Sequence, residues 1–132
     1  MNCDDLITKY GIYVGIEGLS FDLNNTASLN INKHYLLTIT KIDSNEALLN
    51  LCICPMHRDQ AEYCALFLLN LNMSFINSSG AYLYWNEESS VICLSKAINS
   101  SVESEISLDD LIKSMVFDAK DIARKITEFL DK

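Results

Sequence analysis

From Ala27 to Ile39 the apolar positions recur every second residue. Ala27, Leu29 and Ile31 alternate with Ser28, Asn30 and Asn32, and beyond a short Lys33-His34 link Tyr35, Leu37 and Ile39 oppose Thr38 and Thr40. A period of two buries one side of each strand and leaves the other side polar. Asp43 to Glu46 has the composition of a turn. A third strand then sets Leu49, Leu51 and Ile53 on one face and Leu48, Asn50, Cys52 and Cys54 on the other, until Pro55 stops the ladder. Three strands with short links predict an antiparallel meander. Later in the chain Ala81, Leu83 and Trp85 alternate with Tyr82, Tyr84 and Asn86. After a turn at Asn86 to Ser90, Ile92, Leu94 and Ile98 alternate with Cys93, Ser95 and Ala97, which predicts a hairpin.

Three other segments read as helices. Asn2 to Tyr10 carries Leu6, Ile7 and Tyr10 on one side, with Asn2 or Asp4 available as a cap, and Gly11 is expected to end it. Gly15 and Gly18 mark a loop running back over the sheet. The last helix is predicted to be capped by Ser107, with Asp109 and Asp110 in its first turn and Lys120, Arg124, Lys125 and Lys132 toward its end. Leu108, Leu111, Ile112, Met115, Ala119, Ile122 and Ile126 give it one apolar stripe. A polar connector, Asn99 to Ser107, precedes it.

The stretch from Arg58 to Phe75 differs from both. Its apolar residues point almost all round the helix, and Glu62, Asn70, Asn72 and Ser74 do not gather into one wet arc. A membrane span needs about 20 apolar residues, whereas the unbroken run here is only Tyr63 to Leu69. Burial on two sides is therefore expected, against the chain's own sheet and against a second copy. Asn77-Ser78-Ser79-Gly80 marks the exit. The element order is α-β-β-β-α-β-β-α, an α+β fold with one antiparallel sheet, and without internal repeats residues 1–132 read as a single domain.

Composition narrows the possible partners. With 132 residues, 49% of them hydrophobic, the chain can bury a core without disulfides or metal. A formal charge of −8 argues against nucleic acid and anionic membrane surfaces, which need clustered Lys and Arg. Five cysteines form no small-scaffold framework, so they are expected to be reduced thiols. The opening MNCDDLITKYG lacks the positive charge and apolar run of a signal peptide.

Candidate chemistry is sparse. Cys52, Cys54 and His57 are zinc-type ligands or a thiol with its base, but no fourth ligand, orienting group or oxyanion loop accompanies them. The carboxylate pairs Asp4-Asp5, Glu87-Glu88 and Asp109-Asp110 fall at helix starts and a turn, where they serve structure. No catalytic residue, metal or cofactor is assigned, and the chain is read as a binding protein rather than an enzyme.

Three stretches carry a family resemblance: HYLLTITKIDSNEALLNLCIC, LLNLNMSFINSSGAYLYWNEESSVICLSKAI and SLDDLIKSMVFDAKDIARKI. Together with the element order, size and acidity, the chain resembles the class I type III secretion chaperones, the family that includes the Tir chaperone. The resemblance implies a homodimer in the bacterial cytoplasm that binds the N-terminal region of one or more secreted effectors and keeps it soluble, partly unfolded and competent for secretion. It implies a dimer interface at Leu66, Leu69, Asn70 and Met73 with Trp85, and effector contacts at Leu6, Ile7, Tyr10, Leu29, Ile31, Leu37 and Ile39. A small homodimeric scaffold or regulatory domain with a folded partner stays open as an alternative. A disordered effector fragment would bind in the first case and not in the second.

Overall fold

The computed structural model describes residues 2–99 and 102–131. Its order is α1 (Cys3–Val14), β1 (Thr26–Ile31), β2 (Tyr35–Lys41), β3 (Ala47–Pro55), α2 (Arg58–Ser79), β4 (Tyr82–Asn86), β5 (Val91–Ile98) and α3 (Glu105–Leu130). All five strands form one antiparallel sheet in the order β1-β2-β3-β5-β4, so the meander and the hairpin join through β3 and β5. The expected element order and sheet type are therefore observed. Ser100 and Ser101 of the connector, and Lys132, lie outside the described residues.

Alternation decides the core. Leu29, Leu37, Leu51, Leu94 and Leu83 are ladder partners across all five strands. All five are buried, and Ile39 with Leu49 forms a second buried row. On this face lie Leu6, Ile7 and Tyr10 of α1 and Leu108, Ile112, Met115, Ala119, Ile122 and Ile126 of α3. The opposite face carries Thr38, Thr40, Leu48, Asn50, Cys52 and Tyr84, all half-exposed, with Cys93 and Ser95 buried among them.

Three local expectations are corrected. First, α1 does not stop at Gly11 but continues to Val14, and Gly15 (φ 82°) is its left-handed cap. Gly11 is glycine because the following loop crosses it: a Cβ there would stand 2.7 Å from Leu19 Cβ and 2.8 Å from Ile16 O. Gly11→Ala should destabilise the fold by about 1–3 kcal/mol, because overpacking against backbone outweighs the ~1 kcal/mol that alanine gains in helix propensity. The midpoint of denaturant unfolding checks it; an unchanged or higher midpoint would show that the loop yields.

Second, α3 begins at Glu105, before the expected cap. Ser104 Oγ accepts from Ser107 N–H at 3.2 Å while Ser107 Oγ accepts from Ser104 N–H at 3.0 Å, so Ser107 belongs to the cap as its second member. Third, Cys54 does not share a face with Cys52. The ladder slips between them, so Cys52 pairs with Cys93 but Cys54 pairs with Ile92. A bulge inserts one residue and turns the side chains beyond it to the other side. Cys54 thereby joins the core and Cys52 remains on the uncovered face.

Candidate protein-interaction site

Two surfaces expose apolar side chains or unpaired strand backbone. The first runs along α2, which fully buries only Cys64. Ala61, Phe67, Leu68, Leu71 and Phe75 pack half-buried against the core, and the Phe67 ring stacks on Phe129 at 4.6 Å. Around the rest of the helix Tyr63, Leu66, Leu69, Met73 and Ile76 are exposed, Leu66 to 77%. Residues at intervals of three and four share a helix face, so these side chains form one stripe. Asn70 is exposed beside them. The sequence expectation of two apolar sides is met on one side by the chain itself, and the other side is open. Tyr63 and Ile76 extend the stripe beyond the four positions expected; their signal was the same spacing.

Trp85 sits differently. Its Nε1–H donates to Met56 O at 2.8 Å, and the half-buried indole packs against the core. Its remaining surface, with Ala65, Leu69, Asn72 and Leu83, lines a groove of about 380 Å³ beside α2. Here Asn72 acts as a surrogate strand. Its Oδ1 accepts from Leu83 N–H at 2.7 Å and its Nδ2 donates to Leu83 O at 3.3 Å, occupying the outer edge of β4 at Leu83. Asn72→Ala should cost about 1–3 kcal/mol by leaving two half-buried backbone groups unpaired, and should promote association through an unprotected edge. Thermal unfolding with light scattering would detect both; a variant as stable and as monodisperse as its parent would count against the edge-pairing role.

The second surface is the opposite edge, β1. Lys41 N–H donates to Asn25 O at 2.8 Å, so Asn25 and its alternates face β2. Thr26 faces away: its N–H donates to Asp22 Oδ1 and its carbonyl accepts from Asp22 N–H. The same alternation turns the N–H and C=O of Ser28 and Asn30 outward, where they meet no partner among the described residues. Beside this edge a groove of about 570 Å³ runs between α1, β1 and α3. Val14, Ile16, Ile31, Val116 and Phe117 supply apolar walls, and Asn30, Asn32, Lys113 and Lys120 a polar rim. At its base Asp109 accepts from Tyr10 Oη at 3.4 Å and pairs with Lys113 at 2.8 Å. Burial and the Asp109 carboxylate both push the Tyr10 phenol upward, so it stays neutral.

The residues expected to touch an effector are placed mostly in the core. Leu6, Ile7, Tyr10, Leu29, Leu37 and Ile39 are each 7% exposed or less. The physical reason is that α1 and α3 cover the apolar face of the sheet, which leaves these side chains no surface to offer beyond the slivers of Tyr10 and Leu29 at the groove. Ile31 alone is half-buried and lines the groove. Sequence reasoning missed Val14 and Phe117, whose apolar character off the α1 and α3 core faces was the available signal.

The thiol and metal readings find no support in the geometry. His57 caps the start of α2, where its backbone N–H donates to Gln60 Oε1, and Cys52 and Cys54 face opposite ways. Among the described residues no three His, Cys, Asp or Glu side chains converge as metal ligands. No helix among them is long and apolar enough to cross a membrane.

Comparison with known proteins supplies the context. No curated protein sequence is significantly similar to this chain. Several solved structures share the fold at low sequence identity. A chain of the ExsC–ExsE complex aligns with TM-score 0.77 and 14% identity over 94% of this chain and 96% of that one. A chain of the HopA1–SchA chaperone–effector complex aligns with TM-score 0.71 and 19% identity over 88% of each. A chain of the Yersinia pestis complex of the type III secretion chaperone SycH with a fragment of YscM2 gives 0.66 and 16%, covering 88% and 95%. The sequence profile of the Tir chaperone protein (CesT) family matches residues 5–123. That is a family of chaperones and not of enzymes, and this chain belongs to the Tir chaperone protein (CesT) family.

Proposed function

We propose that this chain is a type III secretion chaperone which, as a single-domain homodimer in the bacterial cytoplasm, holds the N-terminal segment of one or more effectors soluble, partly unfolded and ready for secretion. The observation that carries the reading is the unpaired edge of β1 lying beside an apolar groove. An extended segment placed there adds a strand through the outward N–H and C=O of Ser28 and Asn30, and every second side chain enters the groove toward Ile31, Val116 and Phe117. At the other end of the sheet Asn72 already pairs the outward backbone of Leu83 on β4, which supports addition at β1. Binding of this kind needs no bond chemistry, in keeping with a family of chaperones.

The open stripe on α2 supports self-association. Ordering a disordered partner costs entropy, and two chains side by side double the surface that offsets it. The contact is proposed at Leu66, Leu69, Asn70 and Met73, extended by Tyr63 and Ile76, with Trp85 contributing from the adjoining groove. The net charge of −8 keeps a chain with so much exposed apolar surface dispersed.

The test is gentle purification of the tagged chain from its host, followed by sizing and mapping of what accompanies it. One protein held through its N-terminal region, at one copy per two chains, is the expected result. A chain recovered alone, or with a folded partner held elsewhere, would overturn the reading.

A further inference from the structure

Cys52 and Cys93 are directly opposed on the uncovered face of the sheet, with Sγ atoms 3.9 Å apart. The ladder defines their geometry. Ile42 N–H donates to Glu46 O, which makes that pair hydrogen-bonded. Alternation along β3 then directs the backbone of Ala47, Leu49 and Leu51 toward β5, and leaves Cys52 and Cys93 as a non-hydrogen-bonded pair. Such pairs bring Cα atoms to about 4.5 Å, inside the range of about 4.4–6.8 Å that a disulfide spans. The other three cysteines have no ladder partner among themselves: Cys3 lies in α1, Cys64 in α2, and the bulge has turned Cys54 to the core. We propose that Cys52 and Cys93 are a thiol modification site, closed by small disulfides of the glutathione class into a bridge between the two central strands.

The exchange balances in two steps. Cys52 is half-buried and reachable; its thiol loses a proton to water and the thiolate attacks one sulfur of the oxidised small disulfide. One sulfur–sulfur bond breaks, one forms, and the first small thiolate leaves and takes up a proton. Cys93 then loses its proton and attacks Cys52 Sγ, expelling the second small thiol. Two protein thiols are oxidised and one disulfide is reduced to two thiols. Cys93 is fully buried beside Tyr84 and Asn50, and burial pushes its thiol up. The second step is therefore the slow one. Once closed, the bridge encloses α2 and β4 in a covalent loop and stiffens the face that carries Tyr84.

The experiment exposes the folded chain to oxidised glutathione, caps the remaining thiols, and determines mass and linked peptides. The expected product has lost two hydrogens and joins the Cys52 and Cys93 peptides, while Cys93→Ser halts as a stable glutathione adduct on Cys52 and Cys52→Ser forms neither. Three results would overturn the proposal: a bridge between other cysteines, a wild-type chain that stops at the adduct, or two free thiols under conditions that fully oxidise a reference dithiol peptide. Circular dichroism of each variant before oxidation establishes that the comparison is between folded proteins.

Discussion

Leu69→Asp is expected to convert the proposed dimer of this chain into monomers without disturbing the fold. Leu69 lies near the middle of the exposed α2 stripe and is 63% exposed in the single chain, so the new carboxylate costs the isolated fold little. In a two-fold dimer the same patch serves both chains, and each copy of the substitution is felt. Removing an unpaired charge from water costs about 3–5 kcal/mol, and each 1.4 kcal/mol or so is tenfold in affinity. Dimerisation should weaken by about a thousandfold or more. Light scattering coupled to size-exclusion chromatography should report the one-chain mass, with an unchanged far-ultraviolet spectrum. A variant that remains dimeric and fully soluble would remove α2 from the interface.

Ser28→Pro is expected to leave the chain folded and to abolish partner binding. Proline within a sheet normally forfeits a ladder bond, and it is tolerated where the lost N–H faces away from the neighbouring strand. Alternation from Asn25 and Thr26 puts Ser28 N–H on that outward side, so β1 keeps its pairing with β2. An added strand, however, would lose a donor and meet the pyrrolidine ring in its path. A net backbone bond is worth about 0.5–1.5 kcal/mol, and the ring displaces the strand beyond that single bond. The expected loss is a hundredfold or more in affinity for the co-purified partner's N-terminal segment, with an unfolding midpoint close to the parent's. Unimpaired binding by a folded Ser28→Pro chain would show that the segment does not add to β1. Failure of both Ser28→Pro and Phe117→Asp to reduce binding would move the contact away from the groove altogether.

Much of the fold was legible because its signals are local. Period-two runs at Ala27–Ile31 and Tyr35–Ile39 became strands with the predicted inward residues, and the stripe of α3 became its core face. The alternation that set Trp85 opposite Tyr82 and Tyr84 also held. The misreadings share a different origin. Gly11 looked like a helix stop, since glycine is the usual αL cap, but here it answers to Leu19 and Ile16 across a loop. Cys54 looked like a companion of Cys52, since a bulge leaves no mark in the pattern of side chains.

The candidate site was harder to read for the same reason. Leu6, Ile7 and Leu37 are apolar whether they meet a partner or the chain's own helices, and only packing separates the two outcomes. Leu66, Leu69 and Met73 were legible as surplus, because α2 carries more apolar surface than one sheet covers. Periodicity along the chain thus determined which residues form helices and strands and which side of each is apolar, because these follow from side-chain direction in a regular backbone. Tertiary structure alone decided that Asn72 pairs Leu83 on the edge of β4, that β1 stays open beside a groove, and that Cys52 faces Cys93. Each of these depends on elements far apart in sequence meeting at a given register, and no local pattern encodes a distance between them.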